Sequence, residues 1–120
     1  MPKKMTDENR IIEIKGQTSC PGFKKGIVKI VNNEDDLKKI NKGDILVTVI
    51  TTPAFFDTLK KAGAIVTDRG AVRGHGSIMI EELGKPCVVY TEIATQVLKD
   101  GDLVEVDATK GVVRVLKRKK

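Results

Sequence analysis

Histidine, cysteine and tryptophan are scarce in this chain of 120 residues. There is one histidine, His75, and the two cysteines, Cys20 and Cys87, are too far apart for a Cys-x-x-Cys motif, so the sequence offers no set of zinc ligands. Tryptophan is absent, and one tyrosine with three phenylalanines leaves little for stacking on bases, which argues against a nucleic-acid partner. No apolar run reaches the length of a membrane span and no secretory signal is recognisable, so we predict a cytoplasmic protein without a membrane partner, in which a disulfide is not expected.

Length and composition predict one globular domain. A chain of 120 residues is long enough for one hydrophobic core and too short for two domains. Hydrophobic residues make up 40% and charged residues 32%, which is typical of a folded protein. Much of the net charge of +6 lies at the two ends. We therefore predict a flexible leader at 1–10, a domain at 11–116 and a solvated basic tail at 117–120.

Apolar runs alternate with helical patterns through the middle of the chain, which predicts an α/β fold. Hairpin elements are expected to close both ends, and the segment 16–26 is rich in turn residues. A buried strand at 64–67 runs directly into the loop that holds His75. Functional groups of open α/β sheets commonly follow the carboxyl ends of strands. The expected strands are 11–14, 26–31, 44–49, 64–67, 87–90, 103–106 and 112–116, and the expected helices are 34–40, one that begins at Thr52-Pro53, 76–83 and 93–98.

His75 lies between two glycines in the run from Gly70 to Ile78. A neutral imidazole is nucleophilic near physiological pH, and flanking glycines let backbone amides approach the group with which the ring reacts. A helix from Gly76 to Leu83, ended by Gly84 and Pro86, would place the imidazole at a helix N-terminus, which favours phosphate. One interpretation is a histidine that carries a phosphoryl group, and the other is a polar turn residue without a chemical role.

Several stretches of sequence together point to a known family, although each of them alone is weak. They are Ser-Cys-Pro-Gly at 19–22 before a Gly-x-Val strand, Gly-Asp-Ile-Leu-Val at 43–47, Thr52-Pro53, residues 61–68, Glu-Leu-Gly-Lys-Pro-Cys-Val-Val at 82–89, and 100–107 with 111–113. They resemble the phosphohistidine swivelling domain of enzymes that use phosphoenolpyruvate (PEP), such as pyruvate phosphate dikinase, PEP synthase and enzyme I of the sugar phosphotransferase system. The resemblance implies a single compact β/β/α swivelling domain whose His75 accepts a phosphoryl group at one active site and delivers it at another.

The residues around His75 depart from that family's common pattern. The family usually has Thr-Ser before the histidine and Ala-Ala after it, whereas this chain has Arg73-Gly74 and Gly76-Ser77. The threonine hydroxyl that some relatives use for regulation is therefore missing. Arg73 is either a partner of the phosphohistidine oxygens or a solvated turn charge, and Ser77 either donates to phosphate or caps the helix. With Gly76, these residues are the predicted phosphate-stabilising group.

The resemblance also implies partners. Relatives join this domain to a nucleotide-binding domain and to a barrel that binds PEP or a similar acceptor, and neither fits in 120 residues. No Gly-x-x-x-x-Gly-Lys-Ser/Thr phosphate loop is present. The chain is thus expected to bind no cofactor itself, while ATP, PEP and Mg²⁺ bind partner domains or subunits of a dikinase-like phosphotransferase. The alternative is an interaction subunit that has lost phosphotransfer and acts as a lid, as in aconitase-like proteins of this fold.

Overall fold

The protein is represented by a computed structural model that describes residues 12–51, 55–70 and 83–118. Within these residues eight strands form a sheet in the order β1-β8-β7-β3-β4-β5-β6-β2. A 3₁₀ helix, Glu34–Lys39, and two short α-helices, α1 (Phe56–Lys61) and α2 (Ala94–Val97), accompany the sheet. The strands are β1 (Ile12–Lys15), β2 (Gln17–Cys20), β3 (Phe23–Val31), β4 (Ile45–Thr48), β5 (Ala64–Thr67), β6 (Cys87–Val89), β7 (Leu103–Asp107) and β8 (Val112–Lys117). The predicted α/β fold is confirmed.

The sheet has a parallel half and an antiparallel half. Strands β3, β4, β5 and β6 are parallel, and every residue of β4, β5 and β6 is buried, as expected for strands that are covered on both faces. Strands β7, β8 and β1 are antiparallel, and β7 alternates between buried and half-buried residues because only one of its faces is covered. Strand β3 joins the halves, since Phe23–Ile27 pairs with β7 and Val28–Val31 pairs with β4.

Two hydrophobic clusters lie on opposite faces of the parallel half. Successive side chains of a strand point to opposite faces, so Ala64 and Val66 of β5 enter the first cluster and Ile65 enters the second. Helix α2 covers the first cluster through Ala94, and α1 covers the second through Leu59. This burial on both faces fixes the register of the parallel strands, because a shift by one residue would move every side chain to the opposite face.

The N-terminal third differs from the sequence-based expectation. The turn-rich segment 16–26 contains β2 and the first part of β3, which are connected by Pro21 and by Gly22 with its φ of 139°. No hairpin joins β1 and β2, because β1 pairs with β8 and β2 pairs with β6 at opposite edges of the sheet. Gly16 is the single residue that connects β1 to β2. Its N–H donates to Gly111 O at 2.8 Å, and a Cβ at this position would lie 2.5 Å from Val89 O.

The C-terminal residues also differ from the predicted basic tail at 117–120. Strand β8 includes Lys117. The Arg118 guanidinium donates to the buried carboxylate of Asp102 at 2.7 Å and to Val97 O at 2.9 Å. Lys117 is therefore an exposed strand residue, and Arg118 is held in place because a buried carboxylate requires a charged or hydrogen-bonding partner. The predicted leader at 1–10 and the last two residues of the predicted tail lie outside the described residues.

Cys20 and Cys87 are register partners on β2 and β6, and both thiols are free. Cys87 is fully buried, as expected for a small core residue, whereas Cys20 is partly exposed. Burial raises the pKa of the Cys87 thiol to about 12, although a hydrogen bond with Ser19 lowers it in part. The thiolate is the reactive form of cysteine, so Cys87 is protected both by its burial and by its protonation.

We expect iodoacetamide to modify Cys20 and to leave Cys87 unmodified in the folded chain at pH 8. Intact mass spectrometry should show one adduct on the native protein and two after denaturation. A Cys20→Ser variant is the matched control and should show no adduct in the native state. Two adducts on the folded wild-type chain would contradict the burial of Cys87.

Candidate functional site

The carboxyl ends of β4, β5 and β6 lie at the same edge of the sheet because these strands are parallel. The chain leaves β5 at this edge through Gly70, five positions before His75. The predicted site residues His75, Arg73, Gly76 and Ser77 lie outside the described residues, so their roles stay predictions. The structure describes the residues immediately before and after the segment 71–82.

The chain re-enters the described structure at Leu83. Leu83 is helical and partly buried, and it packs against the second hydrophobic cluster. Gly84 follows with a φ of 65°, the left-handed conformation that commonly ends a helix at glycine. Pro86 O then accepts a hydrogen bond from Ile65 N at 2.9 Å, which joins this end to β5. The predicted end of a helix at Leu83 and Gly84 is confirmed, whereas residues 76–82 of that predicted helix, and Thr52-Pro53 where another was predicted to begin, lie outside the described residues.

The departing end of the segment is held by the backbone of β4. Asp68 N donates to Thr48 O at 3.1 Å, and Arg69 N donates to Val49 O at 2.9 Å, so the pairing of β5 with β4 continues beyond both strands. The Asp68 carboxylate is buried and accepts hydrogen bonds from the backbone N–H of Thr95 at 2.9 Å and from its hydroxyl at 2.5 Å. Asp68 thus joins the end of β5 to helix α2.

The residues after β6 also hold the end of β5, from the side opposite β4. Tyr90 N donates to Arg69 O at 3.4 Å and Glu92 N donates to Asp68 O at 2.9 Å. Thr91 contributes both its N–H, at 3.2 Å, and its hydroxyl, at 2.9 Å, to the carbonyl oxygen of Thr67. The backbone of the residues just before Gly70 is therefore held on both sides by neighbouring chain segments.

Gly70 itself is buried under the ring of Tyr90. A Cβ built at Gly70 would lie 2.5 Å from the Tyr90 hydroxyl oxygen and 2.7 Å from Cζ of the ring. Real Cβ atoms do not approach other atoms so closely, so a side chain at this position requires the ring to move. The end of the exposed Tyr90 side chain thus lies in contact with Gly70, at the point where the segment 71–82 begins.

Thr51 follows β4 at the same edge and is fully buried. Within the described residues its hydroxyl has no hydrogen-bond partner. Leaving a buried hydroxyl without a partner costs about 1–3 kcal/mol of stability, so an unpaired hydroxyl at this position is unusual.

Among the described residues, no group of three or more His, Cys, Asp or Glu side chains is placed to hold a metal ion. No helix in this part of the chain has the length and hydropathy to cross a membrane.

Sequence reasoning placed the histidine loop after β5 but did not identify Thr51, Asp68 or Tyr90. Thr51 and Asp68 carried a usable signal, since both are polar residues that directly follow a buried strand of a parallel sheet. Tyr90 carried none: its φ of 58° is rare for a bulky residue, and only the surrounding structure imposes it.

Comparison with known proteins agrees with this architecture. The family described as the mobile domain of PEP-utilising enzymes matches residues 40–111. A probable PEP synthase of Archaeoglobus fulgidus is 47% identical over 106 residues, which are 88% of this chain and 14% of that protein. An NMR structure of enzyme I aligns with a TM-score of 0.54 and 30% identity over 69% of this chain and 34% of that chain.

The fold alone extends to more distant proteins. Aconitase X of Thermococcus kodakaraensis, in its holo-form, aligns with a TM-score of 0.69 over 88% of this chain and 99% of that chain, at 19% identity. That likeness concerns architecture, because the identity is low. The match at 40–111 runs from before β4 to the turn after β7 and so includes this sheet edge and His75. This chain belongs to the family of mobile domains of PEP-utilising enzymes.

Proposed function

We propose that this chain is a phosphocarrier in which His75 accepts a phosphoryl group and passes it between two active sites on partner domains or subunits. The observation that carries the proposal is that, in a chain of this family, the residues that lead toward His75 are held at the carboxyl edge of the parallel sheet. Gly70, five positions before the single histidine, lies at the carboxyl edge of a parallel sheet. Hydrogen bonds to β4 and to the loop after β6 hold the residues just before it.

The proposed chemistry needs a neutral ring nitrogen. Its lone pair attacks the phosphorus of the donor in line, an N–P bond forms, and the O–P bond breaks with its electron pair leaving on the donor oxygen. The transfer to the acceptor is the same exchange with an acceptor oxygen as the nucleophile. Arg73 is proposed to pair with the phosphoryl oxygens, and Gly76 and Ser77 to donate hydrogen bonds to them.

The remaining components of the reaction are proposed to lie on other domains. The chain corresponds to 14% of the matched synthase, and its sequence has no Gly-x-x-x-x-Gly-Lys-Ser/Thr loop for nucleotide phosphates. ATP, PEP and Mg²⁺ are therefore assigned to partner domains or subunits of the same phosphotransferase, in which this domain moves between two sites. Without them the chain is expected to have no turnover.

The test is phosphorylation of the chain by the partner domains of its own system. We expect incubation with Mg²⁺ and either ATP or PEP, in separate reactions, to add one phosphate that intact mass spectrometry detects at alkaline pH. The label should be lost in acid and kept in alkali, as expected for a phosphoramidate. A chain that stays unlabelled with both donors, yet is required for the activity of its partner, would contradict the carrier and support the lid alternative.

A further inference from the structure

Tyr90 and Glu92 have backbone conformations that residues other than glycine rarely adopt. Their φ angles are 58° and 68°, and both residues follow β6 at the edge of the sheet where the histidine loop begins. A non-glycine residue in this region costs about 1–3 kcal/mol, and it persists only where the surroundings hold it in place. Both side chains are exposed, so hydrophobic burial does not repay this cost; Tyr90 is 54% exposed.

The two residues differ in what their side chains approach. The end of the Tyr90 side chain lies against Gly70, close enough that an added Cβ would be 2.5 Å from the hydroxyl oxygen, 2.7 Å from Cζ and 3.2 Å from Cε2. Glu92 is bonded through its backbone N–H to Asp68 O at 2.9 Å, and it is not among the three nearest contacts of the Cβ built at Gly70. Tyr90 is thus the strained residue whose side chain contacts the start of the histidine segment.

The contact joins two anchored backbones. Tyr90 N donates to Arg69 O at 3.4 Å, the residue just before Gly70, while the neighbouring Thr91 N donates to Thr67 O at 3.2 Å. The ring therefore rests on Gly70 from a loop that is itself fixed to the end of β5.

We propose that Tyr90 is a positioning residue for phosphoryl transfer: through its contact with Gly70 it restricts the path of the chain that leads to His75. The proposal rests on the proposed function, and Tyr90 acts through Gly70 without touching the phosphoryl group. A displacement of about 1 Å at a reacting atom can lower a rate by as much as about 100-fold, so a contact at the base of the loop is sufficient to affect transfer.

The test compares Tyr90→Gly with Glu92→Gly, a matched control that relieves a similar backbone strain two residues away. Both variants should melt at or above the temperature of the wild-type chain. We expect Tyr90→Gly to slow phosphorylation of His75 by about 10-fold to 100-fold. Glu92→Gly should stay within about twofold of the wild-type rate, because Glu92 is not among the atoms nearest to the Cβ built at Gly70.

A double-mutant cycle tests the contact independently of phosphorylation. Gly70→Ala should change the melting temperature more in the wild-type chain than in the Tyr90→Gly background, because its Cβ meets the end of the Tyr90 side chain only in the wild-type chain. A wild-type rate in Tyr90→Gly, or an equal loss in Glu92→Gly, would overturn the inference. Failure of the wild-type chain to label would instead refute the proposed function, and the inference with it.

Discussion

Replacing His75 with alanine is expected to abolish phosphorylation of this chain and to change its free energy of unfolding by no more than about 0.5 kcal/mol. The chain has no second imidazole that could accept the group, and a ring between two loop glycines is expected to bury little apolar surface. The measurement is intact mass at alkaline pH with the authentic partner and donor, alongside thermal unfolding of both proteins.

Arg73→Ala provides the control for this variant, since it changes the same loop without removing the nucleophile. It should slow phosphorylation or shorten the lifetime of the phosphohistidine, and Arg73→Lys should restore only part of the effect because an ammonium lacks the bidentate fork. A loss of several kcal/mol in His75→Ala would show that the ring is a structural residue. Unchanged kinetics in Arg73→Ala would identify Arg73 as a solvated turn charge.

Replacing Ile65 with alanine is expected to lower the free energy of unfolding by about 2–5 kcal/mol. Ile65 is fully buried in β5, where it packs in the second cluster with residues of both neighbouring strands and of helix α1. Alanine would leave a cavity that strands paired on both sides cannot close. Because single domains have about 5–15 kcal/mol of stability in total, this change should shift a urea or guanidinium midpoint strongly.

Ile27→Ala is the matched control for this prediction. Ile27 is also a strand isoleucine, but it is 37% exposed and lies on the antiparallel half of β3. Its replacement should cost less than about 1 kcal/mol, mainly through the lower β propensity of alanine. Equal losses in the two variants would show that Ile65 is not in a packed core.

Much of the parallel half could be predicted from local sequence. The apolar runs predicted a strand at 44–49 and a buried strand at 64–67, and the structure has them as β4 and β5. The strands predicted at 103–106 and 112–116 correspond to β7 and β8. The family was also recognisable from short sequence motifs, and the match to its mobile domain covers residues 40–111. For the site, local sequence indicated the place of the loop after β5, while the roles of His75 and its neighbours stay predictions.

Only the tertiary structure decided how the remaining segments pair and what lies beside the loop. Strand β2 reads as turns in isolation and becomes a strand because β6, nearly seventy residues later in the chain, offers it an edge. Arg118 reads as part of a tail and becomes fixed because Asp102 is buried beneath it. The approach of Tyr90 to Gly70 depends on a left-handed φ that no local preference of tyrosine favours. Periodicity and turn chemistry are local properties that a sequence displays, whereas strand edges, buried charges and strained backbones depend on partners that only folding brings together.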